Sequence, residues 1–292
     1  MKEQKNKGNY SFLGLIFVIL IILNSIFDWG LFDKIKEFAG IEKPRYDEFE
    51  NQIFQNPDYA LDIINGLIMQ KPDRPDGYMQ RARVYIVKEE YSSALIDLEK
   101  SLQLDGSLFD AHYYKGCAYY FLNSIDDAIN EFNIAIDMNA KNVSSYCYYY
   151  RACSRKKKGQ LNGALSDLYF FINNDKLNKD DKKYAYFERG LIYIDLNDCE
   201  NAIKDFSLFL SIIQEDKTAY LYLGKAEYLC GKYEAAMNDL NTALDYPESN
   251  YWMGKIYLYK NQKETALKYF ENAVNKGDTN SVKYIKDLKI NH

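Results

Sequence analysis

The chain has 292 residues, 47% hydrophobic and 27% charged, with a formal net charge of −5 spread along it rather than gathered in blocks. That balance excludes the basic stripe a nucleic-acid partner needs to displace phosphate counterions. Two histidines, His112 and His292, leave no usual general base or zinc-binding set, and no Gly-rich phosphate loop, G-x-S-x-G or C-x-x-C spacing occurs. The chain is therefore expected to be no enzyme, with no cofactor, no metal and no small-molecule substrate.

Residues 1–9 form a basic tail carrying Lys2, Lys5 and Lys7. An apolar run succeeds it over 12–27, interrupted late by Asn24 and Ser25 and bracketed by Tyr10 and Trp29. A helix over 10–29 reaches about 28 Å, close to a bilayer core of about 30 Å, with an aromatic ring at each interface. The segment predicts a single transmembrane helix or signal anchor. A cleaved signal peptide is the alternative, and Leu23 spoils its best cleavage site, Leu23-Asn24-Ser25. The lysines ahead of the span outweigh Lys34 and Lys36, which Asp28, Asp33 and Glu37 dilute, so the positive-inside rule puts the rest of the chain on the extracytoplasmic side. Five cysteines pull the other way. An odd count without paired spacing suits small buried hydrophobes better than a disulfide framework.

Residues 30–44 make an amphipathic juxtamembrane linker with Leu31, Phe32, Ile35, Phe38 and Ala39 on one stripe. It lies on the membrane surface, extends the spanning helix, or covers the first helical unit. Gly40 and Pro44 close it.

From residue 45 the pattern becomes paired helices. The first pair, 45–72, is degenerate: Asn56-Pro57 interrupts it, and its first helix near 46–54 lacks a small packing residue. The stretch 110–140 shows the unit most clearly. His112, Gly116 and Tyr119 share one helix face; Ala128, Phe132 and Ala135 share another. Asn123-Ser124 turns the chain, with Ser124 as N-cap and Asp126 and Asp127 in the first turn. Ala128 recurs as Ala60, Ala94, Ala164, Ala202, Ala236 and Ala266, in steps of 34, 34, 36, 38, 34 and 30 residues. Four places after each alanine stands a large apolar residue, from Ile64 to Phe270. Twelve places before six of them stands a small one: Ala82, Gly116, Ala152, Gly190, Gly224 and Gly254.

Helix-turn-helix units of about 34 residues with these linked positions resemble the tetratricopeptide repeat. The last unit, with its short step and the run 266–278, is more similar to the Sel1-type repeat. The resemblance implies an all-α, right-handed α-solenoid of about seven units over 45–278, preceded by the transmembrane helix and closed by a capping helix at 279–292. It also implies a scaffold that holds a protein or peptide on its concave face.

Within the array, Arg155, Lys156, Lys157 and Lys158 end a first helix, where cations complement the helix C-terminus. His112 reads as a packing residue. Residues 173–183 read as a charged loop accounting for the 38-residue step. Val282, Ile285 and Leu288 make the apolar stripe of the capping helix.

The resemblance places the first helices on the concave side. There, about 100° from the pairing face, a ladder of aromatic residues recurs. The chain's 28 tyrosines exceed what the pairing faces need, and tyrosine offers contact area at low entropy cost with a hydroxyl that tolerates water. Tyr113, Tyr120, Tyr149, Phe187, Tyr228 and Tyr251 are the expected partner contacts. Burial between neighbouring helices is the alternative for the same ladder. Lys156, Lys225 and Lys255 favour a partner with acidic residues. No Asn- and Lys-rich clamp for a terminal carboxylate is visible. The expected function is a membrane-tethered scaffold; the alternative is an exported soluble protein, its signal cleaved, acting in envelope assembly or secretion.

Overall fold

The computed structural model describes residues 55–139 and 144–290. The basic tail, the transmembrane helix, the linker and the first helix near 46–54 lie outside the described residues. Among those described are fourteen α-helices and no strand, and no helix long and apolar enough to cross a membrane. Helix α1 (Pro57–Gln70) falls in one unit ending at Pro72, and the remaining helices in a second starting at Asp73. Asn56-Pro57 starts α1 rather than merely breaking a pattern. The Asn56 side chain accepts the Tyr59 N–H at 3.2 Å, and Pro57 occupies the first helical position, where its missing N–H costs nothing.

The second unit is a row of helical hairpins: α2 (Pro75–Val87) with α3 (Tyr91–Leu104), α4 (Phe109–Phe121) with α5 (Ile125–Asn139), and α6 (Ser145–Lys157) with α7 (Leu161–Ile172). Then come α8 (Lys179–Asp195) with α9 (Cys199–Leu210), α10 (Lys217–Leu229) with α11 (Tyr233–Thr242), α12 (Pro247–Tyr259) with α13 (Lys263–Asn275), and the single α14 (Ser281–Ile290). The small residue of each first helix seats the large residue of the second. A Cβ built on Gly116 would meet the Phe132 ring at 2.6 Å, and one on Gly254 the Phe270 ring at 2.7 Å. The alanines from Ala94 to Ala266 are fully buried, so a larger side chain there overpacks the crossing.

Every hairpin turns by the same backbone device. Glu89, Asn123, Gly159, Asn197, Gly231 and Asn261 stand five places before their alanines, all in the left-handed region with φ between 57° and 75°. The next N–H reaches back to a carbonyl five residues earlier, as from Ser124 to Tyr119 at 2.9 Å and from Asp198 to Tyr193 at 2.8 Å. This closes the first helix in a Schellman motif, for which glycine or asparagine is favoured. Ser124 stands at the N-cap place of α5, its carbonyl accepting the Ala128 N–H.

Two sequence expectations need correcting. Residues 179–183 are not loop: Asn178 accepts the Asp181 N–H and the Asp181 carboxylate accepts the Asn178 N–H, both at 2.9 Å, a capping box that starts α8 early. The long step therefore comes from a first helix of 17 residues, against 13 in α4 or α6. In α14, Leu288 is buried and Ile285 packs beside the Phe270 cluster, but Val282 faces solvent. Ser281 holds the inner position at that end, buried and bonded to the Asp278 carboxylate.

Each second helix packs on the next first helix. From α2 to α12, first helices also pack on one another, and among the described residues no two second helices do so comparably. The first helices thus form the inner layer of this unit.

Candidate partner-binding face

All six expected contact residues lie on inner-layer helices, and none is fully exposed. Tyr113 is wedged against Tyr114 and Phe132, at 4.9 and 6.4 Å between ring centres, and burial pushes its phenol well above the ordinary value. Phe187 lies against Phe206, Phe209 and Tyr222 within 5.8 Å. Tyr120 and Tyr149 join one cluster through Tyr150, at 5.7 and 5.4 Å, and burial raises the Tyr120 phenol to about 12. Tyr228 and Tyr251 are joined through Trp252, at 4.9 and 5.1 Å. Because Phe132 also stacks on Tyr150 at 6.5 Å, the structure joins Tyr113, Tyr120 and Tyr149 in one ring network and Tyr228 and Tyr251 in a second, and seats Phe187 apart.

The cations obey a rule that linear spacing does not announce. The residue before each small position pairs with the residue three after each alanine, across the hairpin. Arg81 donates twice to Asp97, both at 2.7 Å; Lys115 lies 3.1 Å from Glu131; Arg151 donates to Asp167 at 2.6 and 3.0 Å; Arg189 donates twice to Asp205, both at 2.7 Å. A separation of 16 residues recurs in all the arginine pairs, and a paired Arg–carboxylate fork is the strong form of such a contact.

One assignment needs correcting. His112 is no simple packing residue, because its Nδ1 lies 2.6 Å from Glu131 Oε2 and joins the Lys115 pair. Of the cations ending α6, Arg155 bonds Asp167 at 2.7 Å, Lys156 pairs with Glu188, Lys157 stands 4.2 Å over the Tyr120 ring, and Lys158 pairs with Asp126. Arg155, Lys156 and Lys157 stand in the last turn of α6, as expected for cations at a helix C-terminus, and the run also ties α6 to its own and to neighbouring hairpins.

The rule stops at α10/α11. Leu223 replaces the cation, and Asp239 faces Glu227 instead. Burial, helped by the neighbouring Asp239, raises the Glu227 carboxyl to about 8, and burial also raises Asp239. In α12/α13 the pair becomes Met253 and Tyr269, the latter stacked on Tyr257 at 5.2 Å. In these two first helices a lysine stands two places later, at Lys225 and Lys255, and neither makes an ion pair with a described residue. Lys225 stands 6.0 Å from the Tyr222 ring and 5.8 Å from Trp252. Lys255 stands 5.8 Å from Tyr228 and 5.5 Å from Tyr284, its Nζ 3.4 Å from the Tyr284 hydroxyl.

Beside Lys225 a cavity of about 270 Å³ opens between α10 and α12, with Thr218, Tyr222 and Lys225 on one wall and Tyr246, Glu248 and Trp252 on the other. The Thr218 and Tyr246 hydroxyls lie 2.9 Å apart. Trp252 is a site residue that the aromatic ladder does not include; as one of two tryptophans, next to an expected contact, it carries the signal that could have found it.

The cysteines divide. Cys199 and Cys230 form a disulfide with Cα atoms 5.6 Å apart, joining the start of α9 to the residue after α10. Cys117, Cys147 and Cys153 are buried thiols, and burial pushes Cys147 and Cys153 up to about 12. The expectation of unpaired buried cysteines therefore holds for three and fails for two.

Residues 184–216 and 247–275, covering most of α8/α9 and α12/α13, match the tetratricopeptide repeat family. Two of its hairpins are thus tetratricopeptide repeats. Superkiller complex protein 3 of Mus musculus is 25% identical over 234 residues, 74% of this chain and 14% of that protein. A TPR repeat-containing protein of Methanocaldococcus jannaschii is 26% identical over 282 residues, 89% of this chain and 47% of its own length. The chain thus spans less than half of these curated relatives. Among solved structures, the APC/C hetero-tetramer Cut9-Hcn1 superposes with a TM-score of 0.61 at 17% identity, covering 88% of this chain and 51% of that one, a likeness of fold. Tetratricopeptide arrays are typically non-catalytic scaffolds, and protein partners are what they bind.

Proposed function

We propose that this chain is a membrane-tethered tetratricopeptide scaffold that binds a protein or peptide on the inner layer of its first helices. The observation that carries the reading is the C-terminal part of that layer. Among the described residues Lys225 and Lys255 have no carboxylate partner; they stand among aromatic rings, and Lys225 borders an open cavity, whereas the cations at the pairing positions of the earlier hairpins are engaged within the fold. Large aromatic groups beside unpaired charge are what hot spots are made of. The names of two similar proteins, a superkiller complex protein and an APC/C hetero-tetramer, are those of assembly components and support the scaffold role.

Tethering rests on the apolar run at 12–27, and the extracytoplasmic side on the lysine balance around it. The Cys199–Cys230 disulfide supports the same side, since such bonds persist in oxidising compartments. An exported soluble protein with its signal cleaved fits that bond equally, and intact-mass measurement of the amino terminus separates the two. The Sel1-like character of the last unit rests on its 30-residue step.

The test is a pull-down from cells with the tagged full chain and its Trp252→Ala variant. Partner capture should fall at least tenfold in the variant while its melting temperature stays within a few degrees, as a loss of about 2 kcal/mol at a contact residue implies. Equal capture by both chains would remove this face from the function. Protease added to spheroplasts should digest the repeats; full protection would reverse the orientation.

A further inference from the structure

The positions of the cations say more than that a partner binds. In the first four hairpins of the second unit, the residue before the small position is Arg81, Lys115, Arg151 or Arg189, each paired across its hairpin. In the last two, that place is apolar, Leu223 or Met253, and lysine occupies the place after the small residue. Two steps around a helix is about 200°, so the charge has left the hairpin seam for the inner layer. Other lysines of this region are engaged: Lys217 with Asp245, Lys232 with Glu200, Lys260 with Glu234. Lys225 and Lys255 are half-buried and stand against rings, with one hydroxyl near Lys255, rather than in an ion pair with a described carboxylate.

The stem of such a lysine packs on aromatic faces and its head group is short of acceptors. A carboxylate supplies the missing acceptor and gains a charge-assisted bond. Packed helices stand about 8–10 Å apart, and Lys225 and Lys255 stand on neighbouring first helices in the same register. A segment in the extended polyproline II form advances about 3.1 Å per residue with three residues per turn, so acids three residues apart share one face about 9 Å apart and reach both. Trp252 contacts both cages, lying under Lys225 and against Tyr228 and Tyr251, and offers one continuous apolar surface between the two charges. Glu248 lines the same cavity as Lys225 and repels a second acid there, which limits Lys225 to one carboxylate. The chain as a whole is acidic, so this local charge serves register and selectivity rather than long-range attraction.

We propose that the Lys225–Lys255 rung takes an internal, extended segment of a partner protein carrying two acidic side chains three residues apart. The proposal rests on the inner layer being the binding face, and the experiment separates the two claims. The immobilised full chain is panned against a displayed library of random twelve-residue peptides held between fixed flanks, so that no terminus is offered. The same panning is run with Trp252→Ala, with the double variant Lys225→Met/Lys255→Met, which keeps the packed stems, and with Lys225→Arg/Lys255→Arg, which keeps the charge. Wild type should enrich Asp or Glu at a spacing of three. A synthetic blocked peptide of that pattern should lose about tenfold in affinity per lysine removed, recover with arginine, and weaken with salt. Enrichment of non-acidic peptides that depends on Trp252 and ignores both lysine variants would overturn the acidic assignment and leave the binding face standing. No enrichment that depends on Trp252 would overturn both.

Discussion

The hairpins from α2 to α9 and those from α10 to α13 have the same crossing but are held differently. In the earlier four, a cation beside the small residue reaches an acid on the second helix, and in three of them the acid is at most 5% exposed at its side chain. In the later two, Leu223 and Met253 fill the cation's place, and the acid either loses its partner, as Asp239 does, or is replaced, as by Tyr269. The small-to-large contact is common to both halves, Gly190 with Phe206 and Gly254 with Phe270. The crossing is therefore set by steric fit, and the charge pair is a separate device. In the later hairpins a lysine stands instead on the inner layer, against aromatic rings.

The largest effect should come from breaking that device in an earlier hairpin. Asp205 is 1% exposed, and Arg189→Met strands it as a buried charge, at a cost of about 3–5 kcal/mol. Arg189→Met with Asp205→Tyr reproduces the residues of the last hairpin at this register and should recover most of the loss, since an apolar replacement of a buried pair is often neutral. Urea midpoints of both variants check this. A cost below about 1 kcal/mol for the single change would mean the pair is no lock.

The disulfide crosses the boundary between the two halves, from α9 to the end of α10. Its ends are 31 residues apart, and closing a loop of that length stabilises by about 3–4 kcal/mol in the chain-entropy treatment. Cys199→Ser with Cys230→Ser should lower the urea midpoint accordingly, and a reductant should do the same to the wild type but not to the variant. An unaltered wild-type midpoint under reductant would contradict the bond.

A smaller effect distinguishes the halves by pH. With Leu223 in place of a cation, Glu227 is held as the acid up to about 8, from an ordinary 4.5. Between those values the folded chain keeps a proton that the unfolded chain has released, so this group's stability contribution is complete below about 4.5 and is lost as the pH rises through about 8. A shift of that size allows about 5 kcal/mol, which water reaching the pair screens to about 2 kcal/mol over that window, and Glu227→Gln should flatten it. A wild-type midpoint rising with pH through that window would contradict the pairing of Glu227 with Asp239.

How much of this is readable in the sequence depends on which neighbours decide each feature. Gly116 and Phe132 belong to one hairpin, so their spacing alone reveals the crossing, and Ala94 to Ala266 are buried as that spacing requires. The Arg189–Asp205 pair is equally local and escapes notice because charges at helical spacing pass for a solvated face. Cys199 and Cys230 meet only through the step from one hairpin to the next, which linear spacing does not encode. The inner aromatics share that difficulty: Tyr113 and Phe187 are seated against rings of their own second helices, while Tyr228 meets Trp252 on the next first helix. The start of α8 passes for loop because Asn178 and Asp181 cap a helix with residue types that also make loops.

The smallest effect tests what the two halves share. All six hairpin turns put one residue in the left-handed region, with glycine or asparagine in five and Glu89 in the sixth, at φ 61°. For a side chain other than glycine that conformation costs about 1–2 kcal/mol, which asparagine eases by bonding locally and glutamate does not. Glycine loses part of the gain to the greater freedom of the unfolded chain. Glu89→Gly should therefore stabilise the chain by about 1 kcal/mol, and Gly231→Ala, at φ 74°, should destabilise it by a similar amount. If the sign were the same in both, the turns of the two halves would not be the one device their backbone bonds describe. Opposite signs of equal size would show that the turn acts alike whether the hairpin beside it is held by a salt bridge, as α2/α3 is, or without one, as α10/α11 is.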